Sequence, residues 1–171
     1  MRRALWAILS TVALAVGLLA VGSPPASAWT SNGCTWESTT IRYNISSGSW
    51  ATAVAQWNAA AVPTYFDYST SSARVGLGTA NNSSVSWDGL TGLTCSGGTT
   101  TYATAVINGA YTDSYSNYKL RSVTAHELGH VLGLDETSGC RLMHPTTEVR
   151  YSSCGISSPG SDEVNGINAL Y

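Results

Sequence analysis

Two of the three histidines in this 171-residue chain, His126 and His130, stand four residues apart in the stretch HELGHVLGLDE, residues 126–136. On an α-helix that spacing puts both imidazoles on one face, about one turn apart. Two imidazoles converging in this way suit a tetrahedral zinc ion. Glu127 adjoins His126 and can reach the other side of such a metal without ligating it. There it can hold a water and take its proton. Gly133, three residues past His130, suits the left-handed turn that ends a helix and would bring a residue just beyond it up to the metal.

For these side chains to meet, residues 118–132 must be helical. Ser116 or Asn117 is placed to cap that helix, and Leu120, Val123, Leu128, Val131 and Leu132 supply its packing positions. Upstream, 41–45 (IRYNI) alternates as a strand. Trp50 to Val62 carries apolar residues three and four apart, a helix that Ser49 would cap and Pro63 would stop. Residues 65–68, 73–79 and 101–108 read as further strands, with an edge strand expected within 84–95. Residues 137–160 read mostly as loop. Residues 162–171 form a last helix that Ser161 would cap, with Asp162 and Glu163 at its positive end.

The first 28 residues carry Arg2 and Arg3, an apolar run from Ala4 to Val21, and Ala26-Ser27-Ala28. This is the pattern of a secretory signal peptide cut after Ala28, leaving residues 29–171 as one domain. Removing the leader lowers Lys plus Arg from 8 to 6 against 10 Asp plus Glu, a net charge of about −4. Such a charge argues against nucleic acid or an acidic membrane as partner. The four cysteines all follow Ala28, and an even number in an exported chain reads as two disulfides. Three pairings are possible. Cys34–Cys95 with Cys140–Cys154 is expected, because the second pair brackets a local loop beside the histidine motif. Closing a loop of that length contributes about 3 kcal/mol. No Cys-x-x-Cys spacing supports a cysteine zinc site.

HELGHVLGL resembles the active-site helix of the metzincins, secreted zinc endopeptidases whose longer motif is His-Glu-x-x-His-x-x-Gly-x-x-His followed by a methionine turn. Leu142-Met143-His144-Pro145 is similar to that turn in matrix-metalloprotease-like members, and 162–171 (DEVNGINALY) to the closing helix of matrixin-like catalytic domains. The small size and the cysteine-bracketed loop also resemble the bacterial snapalysin-like branch, in which a carboxylate is the third ligand. The likeness runs from about Ile41 to Tyr171 and is specific over 126–145.

The resemblance implies an α+β, zincin-like fold: a small twisted mixed β-sheet, an N-terminal helix, an active-site helix, and a loop-rich C-terminal part with a closing helix. It implies one catalytic Zn2+, with calcium undetermined. His126 and His130 would be ligands, Glu127 the catalytic base, and Met143 the apolar floor of the site. The family's third-histidine position holds Glu136, which inherits the ligand role by register. Asp135 is the close rival and Glu148 a more distant one. Residues 145–153 would line the pocket for the substrate side chain after the cut bond, and the edge strand within 84–95 would pair with extended substrate. No prodomain fits between Ala28 and Ile41.

The function expected is therefore a secreted, monomeric zinc endopeptidase acting on protein or peptide substrates, with no stable membrane association. The alternative is a weak or inactive zinc-containing binding protein on the same scaffold, with exposed Trp and Tyr as its recognition surface.

Overall fold

The computed structural model describes residues 28–45 and 48–171. All but the last residue of the expected leader lies outside the described residues. A five-stranded sheet carries the fold: β2 (Thr40–Ile45), β3 (Tyr65–Tyr68), β4 (Val75–Ala80), β5 (Gly89–Ser96) and β6 (Thr99–Asn108), in the order β3-β2-β4-β6-β5. Here β2, β3, β4 and β6 run parallel, and β5 closes one side antiparallel to β6. A separate two-stranded ladder joins β1 (Thr30–Ser31) to β7 (Leu134–Asp135). The expected α+β architecture and mixed sheet are present. The edge strand expected within 84–95 is β5.

Helices α1 (Ala51–Ala59) and α3 (Asn117–Val131) cover the sheet face that presents Ile41, Phe66, Val75, Leu77, Ala103, Ala105 and Ile107, all buried. Alternation along each strand puts these residues on one side, which is why the strands read clearly in the sequence. A short α2 (Gly109–Thr112) follows β6, and α4 (Ser161–Leu170) closes the chain. Trp36, Trp50 and Trp57 are buried, and each indole N–H finds a backbone carbonyl: Val131 at 2.8 Å, Gly78 at 3.0 Å and Ala125 at 2.9 Å. Three of the five tryptophans after Ala28 are thus core residues with satisfied donors, and give no exposed recognition surface.

Three local expectations are corrected. The first helix starts later and ends earlier than Trp50–Val62. A 3₁₀ turn over Gly48–Trp50 precedes it, so Ser49 caps nothing, and Ala60 is already extended. Asn58 makes the early stop possible. Its side chain accepts from Phe66 N at 2.7 Å and donates to Phe66 O at 2.9 Å, tying the helix end to β3. At the last helix Gly160 occupies the N-cap, and Glu163 reaches back to its N–H at 2.9 Å, so Ser161 is the first helical residue. Within 137–160, residues Glu148–Ser153 form a π-helical turn. For α3, Ser116 is the cap, its Oγ accepting from Lys119 N at 3.2 Å. The disulfides are Cys34–Cys95 and Cys140–Cys154, as expected.

Candidate metal centre and cleft

Helix α3 is buried on nearly every side from Ser122 to Gly129, including His126 at 3% exposure and Glu127 at 4%. Two backbone carbonyls fix the imidazoles. His126 Nδ1 is 2.8 Å from Leu142 O, and His130 Nδ1 is 2.9 Å from Leu134 O. A carbonyl only accepts, so each Nδ1 carries the hydrogen. Each Nε2 is then either the second N–H of an imidazolium or a lone pair able to ligate.

The two Nε2 atoms lie 3.1 Å apart, and Glu136 Oε1 is 3.4 Å from both. A tetrahedral zinc with bonds near 2.0–2.1 Å has ligand–ligand edges of about 3.3 Å. His126, His130 and Glu136 are also the group whose ligand atoms cluster closely enough to share an ion among the described residues. The donor set and its spacing fit zinc. Burial alone would push the Glu136 carboxyl up, but hydrogen bonding and charge from His126 and His130 outweigh it and bring the pKa down to about 2. Burial likewise disfavours the His130 imidazolium, but Glu136, Glu127 and the Leu134 carbonyl overcome that and raise its pKa above the ordinary value.

The rival carboxylates line the same cleft but stand outside this triangle. Asp135 pairs with Thr30 across the β1–β7 ladder, and its Oδ1 accepts from Glu136 N at 2.8 Å. Glu148 accepts from Ser152 Oγ at 2.9 Å, and His144 Nδ1 accepts from Thr146 N at 3.2 Å. Gly133 has φ of +104°, and a side chain there would come within 2.7 Å of Cys34 O. The turn that carries Leu134–Glu136 back toward the histidines therefore needs glycine for its backbone and for its neighbour.

Met143 is fully buried against Gly129, the second x of the His-Glu-x-x-His motif. A methyl at Gly129 would collide with Met143 Sδ and come 3.1 Å from Met143 Cε. Around the site runs a cleft of about 710 Å3, bounded by Gly89–Thr91 of β5, by α3, and by Pro145, Thr147 and Arg150. Arg150 is 2% exposed and staples this last wall. Its guanidinium donates to His144 O and, at 2.7 Å, to Thr147 Oγ1. At the same end Tyr115 donates to Asp88 Oδ2 at 3.1 Å, and burial, reinforced by Asp88, pushes its hydroxyl up to about 12.

The family model for matrixins, a peptidase family, matches residues 49–171. The chain is a matrixin. Among curated proteins it is similar to the interstitial collagenases of Equus caballus and Oryctolagus cuniculus, 39% identical to each over 62 residues. Those alignments take in 36% of this chain and 12% of each relative, so this matrixin spans only a small part of their length. Family membership makes it a member of a group of zinc-dependent endopeptidases. Its mixed sheet and helices are those of a matrixin catalytic domain. Among the described residues of this matrixin, no helix is long and apolar enough to cross a membrane.

Three residues that matter to the site's shape escaped the sequence reading: Asn32, Thr91 and Gly129. The first two touch the motif across 98 and 36 residues of chain. No spacing rule signals such contacts. Gly129 could have been suspected, since glycine inside a helix is unfavourable unless something must approach closely.

Proposed function

We propose that this chain is an exported zinc endopeptidase that cuts extended polypeptide, with residues 29–171 as its catalytic domain. His126, His130 and Glu136 would hold one zinc ion, and Glu127 would serve as general base. The observation that carries the assignment is the triangle of 3.1, 3.4 and 3.4 Å formed by two imidazole nitrogens and one carboxylate oxygen. Its imidazoles are already oriented by the Leu142 and Leu134 carbonyls.

Zinc, when bound, supplies Lewis acidity for the scissile carbonyl and for the attacking water. The chain's own groups do the rest. Glu127 is buried beside His126 and opens on the cleft, so its carboxylate can accept a proton from water and return it to the leaving amine. β5 lies at the sheet edge and can pair with an extended substrate backbone. The wall formed by Pro145, Thr147 and Arg150 would receive the side chain that follows the cut bond. Export rests on the leader pattern in residues 1–28, and a monomer with no nucleic-acid partner fits the net charge of about −4 after its removal.

Replacing Glu127 by Gln tests the assignment. The variant should bind zinc one-to-one and lose cleavage of unfolded casein, with kcat down by about 100-fold or more. Wild-type rates in Glu127→Gln would overturn the role of the base. A wild-type protein that holds zinc but cleaves no peptide in a broad library would instead indicate a binding protein on this scaffold.

A further inference from the structure

Glu127 is gripped from the strand side by a residue outside the motif. Thr91, within β5, has its Oγ1 2.7 Å from Glu127 Oε2 and 3.1 Å from the Glu127 backbone carbonyl. A hydroxyl has one hydrogen, and Oε2 is the nearer of its two acceptors. The Thr91 hydroxyl therefore donates to Oε2. Among the described residues no other side chain or backbone N–H donates to this carboxylate.

The strand register makes the grip possible. Gly89 lies opposite Ile107 and Thr91 opposite Ala105, and both partners are buried on the helix-covered face. Residues two apart on a strand share a face, so Gly89 and Thr91 both look toward α3. At Gly89 an added methyl would collide with Glu127 Oε1 and approach Glu127 Cδ at 2.9 Å and Val123 Cγ1 at 2.8 Å. The carboxylate thus fills the space of a missing side chain at Gly89, while Thr91 holds its other oxygen.

We propose that Thr91 is a positioning residue for the general base. Its hydroxyl fixes the rotation of the Glu127 carboxylate by holding Oε2 to the strand, while the missing side chain at Gly89 makes room for Oε1. Since the same strand edge is where substrate would pair, base and substrate backbone share one support. The inference rests on Glu127 being the base of the proposed peptidase. Its chemistry is preorganisation: a carboxylate held in one orientation does not have to find it during the reaction.

The test compares Thr91→Val, which keeps the shape and loses the donor, with Thr91→Ser, which keeps the donor. All forms should hold zinc one-to-one. On a peptide substrate Thr91→Val should lower kcat by about 10- to 100-fold, the usual cost of losing a partner of an active-site group, with KM unchanged. Thr91→Ser should stay near wild type. Independently of activity, crystal structures of the metal-free proteins should show one Glu127 carboxylate orientation in wild type and Thr91→Ser, and a rotated or divided one in Thr91→Val. If Thr91→Val does not fold, Thr91→Ala takes its place in both measurements. Wild-type kcat in the donor-free variant, equal losses in it and in Thr91→Ser, or an unmoved carboxylate would each overturn the proposal. If the wild-type zinc protein cleaves nothing, the peptidase reading fails, and carboxylate orientation alone decides the role of Thr91.

Discussion

The side-chain amide of Asn32 donates to the carbonyl of His130 at 3.0 Å, closing the end of the motif helix with a residue from the start of the described chain. The same amide comes 3.4 Å from Leu134 O, the carbonyl that orients the His130 ring. Asn32 N donates to Gly133 O at 3.0 Å, and Thr30 Oγ1 donates to Glu136 O at 2.7 Å. Residues 30–32 therefore clasp the turn that carries Glu136. The next residues anchor the clasp to the edge strand through Cys34–Cys95.

Removing the clasp should loosen the metal. Asn32→Ala is expected to weaken zinc binding by about 10-fold or more, the scale set by groups that orient ligands. Competition with a chromophoric chelator measures this. An affinity equal to wild type would show that the turn holds itself.

Glu136 and Asp135 should separate cleanly. Glu136→Ala is expected to lose zinc during gel filtration, because it leaves two imidazoles of the three side chains whose ligand atoms converge. Asp135→Ala should keep it, since its carboxylate faces the backbone N–H of Glu136. Chelation of the wild-type metal should abolish casein cleavage, and added zinc should restore it. Metal retained in Glu136→Ala and lost in Asp135→Ala would reverse the ligand assignment.

Gly129→Ala should destabilise the fold. The new methyl meets Met143 under the motif, with Trp57 Cζ2 3.5 Å away, so the buried Met143 must move. Overpacking of this kind costs about 1–3 kcal/mol. A smaller residue at 143 should relieve it, so Gly129→Ala combined with Met143→Val should lose less than the two single losses added together. Denaturant midpoints provide the measurement, and strict additivity would show that the two residues do not conflict.

Arg150 is expected to shape the cleft wall without touching the metal. Burial pushes its guanidinium pKa down, while Asp88, Glu127 and Glu136 favour the charge. Arg150→Ala removes both bonds to the 144–147 segment, so KM for peptides should rise several-fold, by about 1 kcal/mol or more, with zinc content unchanged. Steady-state kinetics beside metal analysis checks this, and an unchanged KM would show that the wall stands without the staple.

Much of this architecture follows from local rules. Ser116 caps α3, and the spacing of His126 and His130 then places both rings on one face whatever the rest of the chain does. Gly133 ends the helix because its φ of +104° is open to glycine. The strands of the central sheet could be read because their buried face repeats every second residue. Helix α3 gave a weaker signal. It buries Ser122, Thr124, His126 and Glu127 as well as apolar residues, so its hydrophobic periodicity is diluted.

Tertiary packing sets which carboxylate faces the histidines and what holds Glu127. Asp135 and Glu136 are neighbours, and neighbours on extended backbone point to opposite sides. The pairing of Asp135 with Thr30 sets that orientation, and it depends on a strand more than a hundred residues away. Thr91 reaches Glu127 because β5 crosses beside α3 in a register that puts Gly89 and Thr91 on its inner face. Sequence spacing governs which side chains share one helix face. It carries no information about which distant strand will be folded against that face.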